Sequence, residues 1–187
     1  AAAQALATPE APVHYVENSL IPGLFGLLFW DAIFAPVPGA FFHPFQSGPA
    51  DLHHPEFRRR RRAEFDAGFQ ALADGEHRAR ILARYREKSG RLSPFVHWGR
   101  LSEALLEQAL DCLPAEHLAL CFERLLADIA ANRAGLPDLI QFWPAQRRYR
   151  MVEVKGPGDR LQDNQRRWLD FFIARDLPVA VCQVTWQ

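Results

Sequence analysis

An apolar strand that carries an acid and an amine on one face, and is then cut off sharply, constrains this chain more than any other feature. Met151-Val152-Glu153-Val154-Lys155 runs directly into Gly156-Pro157-Gly158. Side chains two apart on a strand point the same way, so Glu153 and Lys155 project together while Val154 turns to the opposite side. Apolar neighbours such as Leu139, Ile140 and Val152 mark the surrounding strands as interior. Two charges there are costly unless they pair or bind something. "DLIQFW" and "RRYRMVEVK" predict two strands around Pro144-Ala145-Gln146. A helix follows from about Gln162 to Ala174, and "PVAVCQV" (178–184) reads as a last strand buried on both faces. Two strands, a helix and a further strand predict an α/β core.

A helical lobe precedes that core. Phe57 to Leu72, Glu76 to Lys88, Arg100 to Leu113 and Ala115 to Asn132 each place apolar residues at helical spacing. Glu17-Asn18-Ser19 stands before an apolar run that ends near Phe34, which predicts a helix entered at Asn18 with Glu17 at its N-terminal end. Residues 35–55 are proline-rich and predict an irregular excursion, and residues 1 to about 13 are Ala/Pro-rich and predict a frayed tail. The expected division is therefore 1–134, tail and helical lobe, and 135–187, α/β core.

Composition excludes several classes. The chain of 187 residues has 22 basic and 22 acidic side chains, so its total charge makes no argument for nucleic acid. Cys112, Cys121 and Cys182 show no zinc or disulfide spacing and suit a reducing compartment. The run Leu20 to Trp30 is too short to span a bilayer, and the first residues lack the basic start and cleavage site that a signal peptide would need. A cytoplasmic protein is expected, nuclear if the source is eukaryotic. The chain begins at Ala1 without methionine, and a fragment of something longer is expected.

Asp138, at the mouth of one strand, and Glu153 with Lys155 on the adjoining one put two carboxylates and an ammonium at one sheet edge. Close carboxylates repel unless a cation lies between them, and hard oxygen ligands favour Mg²⁺ or Mn²⁺. Such an ion polarises a phosphoryl oxygen and activates water, and the lysine can steady developing charge. The same residues also read as a loop acid and a plain ion pair, in an interaction domain or in a DNA-binding module whose carboxylates no longer assemble. Local basic clusters supply candidate phosphate contacts: Arg58 to Arg62, then Arg147, Arg148 and Arg150 on the hairpin, and Arg160, Arg166 and Arg167 beyond it. Trp30, Trp98, Trp143 and Trp168 read as core, and the seven histidines form no ligand-spaced cluster.

"GLPDLI" (135–140) followed by "VEVKGPGDRLQDNQRRWL" (152–169) closely resembles the VRR-NUC branch of the PD-(D/E)XK nucleases. "VENSLIPGLFGLLFWDAIF" (16–34) resembles the region just upstream of that domain in Fanconi-associated structure-specific nucleases. The resemblance runs from about Val16 to Trp186. It implies a restriction-endonuclease-like core, divalent metal, and cutting of 5′ flaps with trimming from nicks in DNA repair, including interstrand crosslinks. Carried over by position, Asp138 and Glu153 would ligate metal with help from the Val154 carbonyl, and Lys155 would be the catalytic lysine. Gln165 would face the site from the helix, and Glu17 would add a further carboxylate. The family's DNA-binding and helical-repeat parts have no counterpart here. At Gln162 the family often has a better helix cap, a role Asp159 or Asp163 could fill.

Overall fold

The computed structural model describes residues 2–185, so Trp186, the last position of the resemblance, lies outside them. In chain order the elements are α1 (Ala2–Leu6), β1 (Val13–Tyr15), α2 (Leu20–Leu28), α3 (Trp30–Ile33), α4 (Arg62–Ala73), α5 (His77–Lys88), α6 (Glu103–Cys112), α7 (Ala115–Ala127), α8 (Ile129–Asn132), β2 (Leu139–Trp143), β3 (Arg148–Lys155), α9 (Asp163–Ile173) and β4 (Val179–Gln183). Two compact units emerge: residues 1–18, 108–114 and 131–187, and residues 19–107 and 115–130. The expected boundary at 134/135 is therefore not where the contacts divide the chain. The N-terminal tail belongs with the sheet, because β1 is one of its strands.

That sheet is mixed, in the order β1-β2-β3-β4. β1 pairs antiparallel with β2, Tyr15 opposite Leu139 and Val13 opposite Gln141. β2 and β3 form the expected hairpin, Leu139 opposite Val152 and Trp143 opposite Arg148. Its turn is a short 3₁₀ segment, Pro144–Gln146, closed by Arg147 at φ 48°. β4 joins β3 in parallel, Glu153 opposite Val181, which requires a crossover; α9 is that crossover. Along β3, Tyr149, Met151, Glu153 and Lys155 are all buried, while Arg148, Arg150 and Val154 are not. α9 buries Trp168, Leu169, Phe171 and Phe172, and the Trp168 indole N–H donates to the Asn132 carbonyl at 3.1 Å.

Two expectations about this unit need correction. β4 is not buried on both faces: Val181 is 44% exposed, because no strand among the described residues pairs with its outer edge. The tail is not frayed either. A short helix and β1 occupy it, and the Gln141 side chain holds it by donating to the Leu6 carbonyl at 2.8 Å.

In the second unit the apolar run folds as two consecutive helices, α2 and α3. Pro22 falls in the first turn of α2, where its missing N–H would have no intrahelical partner. Every residue of α2 is buried, and Phe25 packs against Phe29, Phe65, Phe95 and Phe122. A side chain at Gly26 would meet the Phe95 Cβ at 2.8 Å, so this close packing demands glycine. The five consecutive arginines all pair with acids of this unit. Arg58 forms a two-pronged pair with Glu123, Arg59 pairs with Glu56, and Arg62 lies 3.4 Å from Asp66. Arg61, fully buried, reaches both oxygens of Asp51 at 2.8 Å, and Arg60 shares that carboxylate. Their charges are balanced within the unit.

Candidate active site

β3 ends in Glu153 and Lys155. Lys155 Nζ lies 2.9 Å from Glu153 Oε1 and donates to Gln165 Oε1 at 2.9 Å. Glu153 is 0% exposed and Lys155 7%. The alternation of β3 sends both to the face that α9 covers, which is why a helical glutamine can reach the lysine. Gln165 also accepts the Gln162 backbone N–H at 3.0 Å, so the helix N-cap is Gln162 itself. Neither Asp159 nor Asp163 takes that role; the Asp159 carboxylate instead accepts the Gly156 N–H at 3.0 Å and shapes the Gly-Pro-Gly turn. One side-chain oxygen thus links the start of α9 to the end of β3.

Asp138 enters from the residue before β2, and its Oδ2 accepts the Val154 N–H at 2.9 Å. Glu17 arrives by a route no local pattern reveals. The Val16 N–H donates to the Asp138 carbonyl at 2.8 Å, continuing the β1–β2 pairing, and Glu17 is the next residue. It sits in a turn, not on a helix: α2 begins at Leu20 with Ser19 at the N-cap, and Asn18 has φ 50°. Asn18 tolerates that left-handed backbone better than most residues. Its side chain then bridges the site's two halves, accepting the Leu136 N–H at 3.1 Å and donating to Glu17 Oε1 at 3.4 Å. Tyr15 O–H donates to the other Glu17 oxygen. Sequence reading passed over Asn18 and Tyr15, and the one available signal was an asparagine beside the candidate acid.

Burial pushes the Glu153 carboxyl up from its ordinary value, and the charges of Asp138 and Glu17 push the same way, against the pull of Lys155. The charges of both other acids therefore act on Glu153. Apart from the Lys155 ammonium at Oε1, the Glu153 oxygens have no hydrogen-bond partner. A buried carboxylate with unmet acceptor capacity, beside two more acids, suits a hard divalent cation. The side chains are anchored separately, and among the described residues no three of them converge as a ready-made cage. The donor chemistry fits a hard divalent cation.

The remaining candidates are dispersed. Arg148 and Arg150 leave β3 on the face opposite Glu153, stacked against Trp143 at 4.7 and 5.5 Å, and Arg150 also donates to Gln141 at 2.9 Å. Trp143 is consequently half-buried at the hairpin tip and not core, unlike Trp168. Arg147 at the turn, Arg160 after the Gly-Pro-Gly break and Arg166 on α9 are exposed.

Gly135 fixes the approach to Asp138. Its φ is +93°, and a Cβ there would lie 2.6 Å from the Asn164 carbonyl carbon and 2.8 Å from its oxygen, both backbone atoms of α9. Gly135→Ala must strain the loop or displace the helix turn that carries Gln165. A loss of about 2–4 kcal/mol is expected from the left-handed backbone and the overlap together. Urea denaturation measures it, and a variant as stable as the wild type would show that Gly135 does not constrain the approach to Asp138.

The comparisons agree with this architecture. The VRR-NUC domain family profile matches residues 72–186. The chain is 68% identical to a Fanconi-associated nuclease 1 homolog of Pseudomonas aeruginosa, over 97% of this chain and 32% of that protein. It is 37% identical to Fanconi-associated nuclease 1 of Homo sapiens, over 90% of this chain and 17% of that protein. A crystal structure described as paFAN1 bound to 2-nucleotide 5′ flap DNA with a gap superposes with a TM-score of 0.98 at 67% identity, covering all of this chain and 34% of that one. The chain thus spans about a third or less of the length of these relatives. With the profile covering most of its length and the strand, helix and acid arrangement just described, the chain belongs to the VRR-NUC domain family.

Proposed function

We propose that this chain is the catalytic core of a divalent-metal-dependent, structure-specific DNA nuclease. It hydrolyses phosphodiester bonds at 5′ flaps, nicks or branched duplex during DNA repair, including repair of interstrand crosslinks. The observation that carries the reading is Glu153, a fully buried carboxylate whose one close polar partner is the Lys155 ammonium, itself held by Gln165, with the charges of two further acids acting on it. An inert scaffold would have no reason to keep so costly a group. The relatives' names and the flap DNA in the related crystal structure support the same substrate. A protein acting on DNA works in the bacterial cytoplasm, or in the nucleus of a eukaryote.

Asp138, Glu153, Glu17 and the Val154 carbonyl would hold Mg²⁺ or Mn²⁺. When bound, the ion supplies Lewis-acid polarisation of the phosphate and a more acidic water. Lys155, held between Glu153 and Gln165, orients the attacking water and steadies the negative charge that grows as the water oxygen bonds to phosphorus and the P–O bond to the leaving strand breaks. Gln165 keeps the ammonium aimed. Arg147, Arg160 and Arg166 offer phosphate contacts, while Arg148 and Arg150 serve a strand on the other face of the sheet. Cleavage of an end-labelled 5′ flap with Mg²⁺ or Mn²⁺, against a chelator control, tests the proposal; intact DNA under all conditions would overturn it.

Glu17→Gln keeps size and hydrogen bonding to Tyr15 while removing charge. We expect weaker divalent-metal affinity, seen as a several-fold higher Mg²⁺ concentration for half-maximal cleavage, with a melting temperature without metal no lower than that of the wild type. An unaltered metal titration would exclude Glu17 from the site.

A further inference from the structure

We infer that Tyr15 forms the wall of a pocket for one unpaired nucleobase next to the phosphate that is cut. The inference rests on the nuclease reading above. The pocket is open, about 400 Å³, and lined by Ala2, Ala3, Tyr15, Asp138, Leu139 and Val154. Apart from Asp138 and the tyrosine hydroxyl, its lining is apolar. The strand register explains why these residues meet: Tyr15 is opposite Leu139, and Leu139 is opposite Val152, two residues from Val154 on the same face. This shelf lies on the face of the sheet away from Lys155, and it ends at Asp138, the proposed metal ligand.

Tyr15 is 54% exposed, yet its hydroxyl is tethered to the Glu17 carboxylate. A large aromatic ring presented to solvent in a fixed orientation has already lost much of the freedom that binding would remove. The ligand chemistry follows from position. A phosphate held at Asp138 carries a sugar and a base on each side, so the flat group within reach of the ring is a nucleobase. Stacking on an aromatic side chain is tolerant of sequence because every base has a π-face. A base inside an intact duplex is already stacked and paired and cannot enter. The pocket therefore favours phosphates that border a flap, a gap or a frayed end, which gives structure selectivity without any base-specific contact.

The test compares 5′ flap substrates that carry either a normal nucleotide or an abasic one on each side of the cut phosphate. For the wild type, removing the base at one of these positions should lower kcat/KM about tenfold, mainly through KM. Tyr15→Phe should keep that ratio. Tyr15→Ala should cleave the normal substrate about tenfold less well and show a ratio near one. A Tyr15→Ala loss of equal size on both substrates would overturn the inference, because it would mean that Tyr15 acts only by holding Glu17. A ratio near one for Tyr15→Phe, or no base dependence in the wild type, would overturn it too. Binding of the same flap with 2-aminopurine at that position supplies a readout independent of cutting. The wild type and Tyr15→Phe should quench its fluorescence and Tyr15→Ala should not. If no cleavage is seen at all, the nuclease reading fails, and quenching alone then decides the pocket: present, it stands as a base-binding site; absent, it falls.

Discussion

Lys155→Ala is expected to lower flap cleavage at least about a hundredfold while the protein stays folded and still responds to divalent metal. The ammonium is nearly buried and anchored by Gln165 and Glu153, so it is held in place before substrate arrives. Preorganised charge in a site shielded from water stabilises a transition state more than the same charge on a mobile surface lysine. The loss should fall on kcat, since the phosphate's ground-state contacts lie elsewhere. Lys155→Arg should not rescue it: a planar guanidinium cannot replace a compact ammonium between two acceptors. Single-turnover rates on a 5′ flap give the measurement, and a variant that cuts at the wild-type rate removes lysine from the chemistry.

Asp138→Ala and Glu153→Gln should each abolish cleavage, and the second should also reveal what the site costs the fold. Burial, reinforced by Asp138 and Glu17, raises the Glu153 pKa in the folded protein. A raised acid contributes stability that is fully present below its unfolded pKa and is lost as pH rises through the folded one. At neutral pH without metal, the ionised carboxylate is thus a net cost, and Glu153→Gln should melt higher than the wild type. The gap should close in acid, below the ordinary carboxylate range. Lys155 keeps Gln165 as its acceptor, so the substitution does not strand the ammonium. Adding Mg²⁺ or Mn²⁺ at about a hundred times its dissociation constant should stabilise the wild type by about 2.7 kcal/mol. Neither variant should gain as much. Equal metal-induced shifts in all three proteins would rule this site out.

The local grammar of the last fifty residues was legible because short-range rules decide it. Alternation along Met151 to Lys155 put Glu153 and Lys155 on one face, the Gly-Pro-Gly break ended the strand, and helical spacing after Gln162 placed Gln165 on a helix. The Arg58 to Arg62 run had no such rule. Asp51 and Glu123, acids that lie outside the run and reach it only through folding, pair with Arg58, Arg60 and Arg61 and make those three structural. β4 read as a buried strand because Val179, Ala180 and Val181 are apolar, but burial is set by what lies alongside, and β4 is an edge.

The site's second half shows the division most clearly. Sequence alone determined which residues could bear the chemistry: an acid before β2, an acid and an amine on β3, and a glutamine on α9. Whether Glu17 comes near them depended on a three-residue strand in a tail with no periodic pattern at all. So short a strand is stabilised almost wholly by its neighbour β2, and Asn18 closes the arrangement by bonding Leu136 across 118 residues of chain. Such pairing has no sequence signal, because backbone hydrogen bonds do not depend on side-chain identity. Only the tertiary structure could bring Glu17 and Tyr15 to Asp138, and with them the third acid and the pocket.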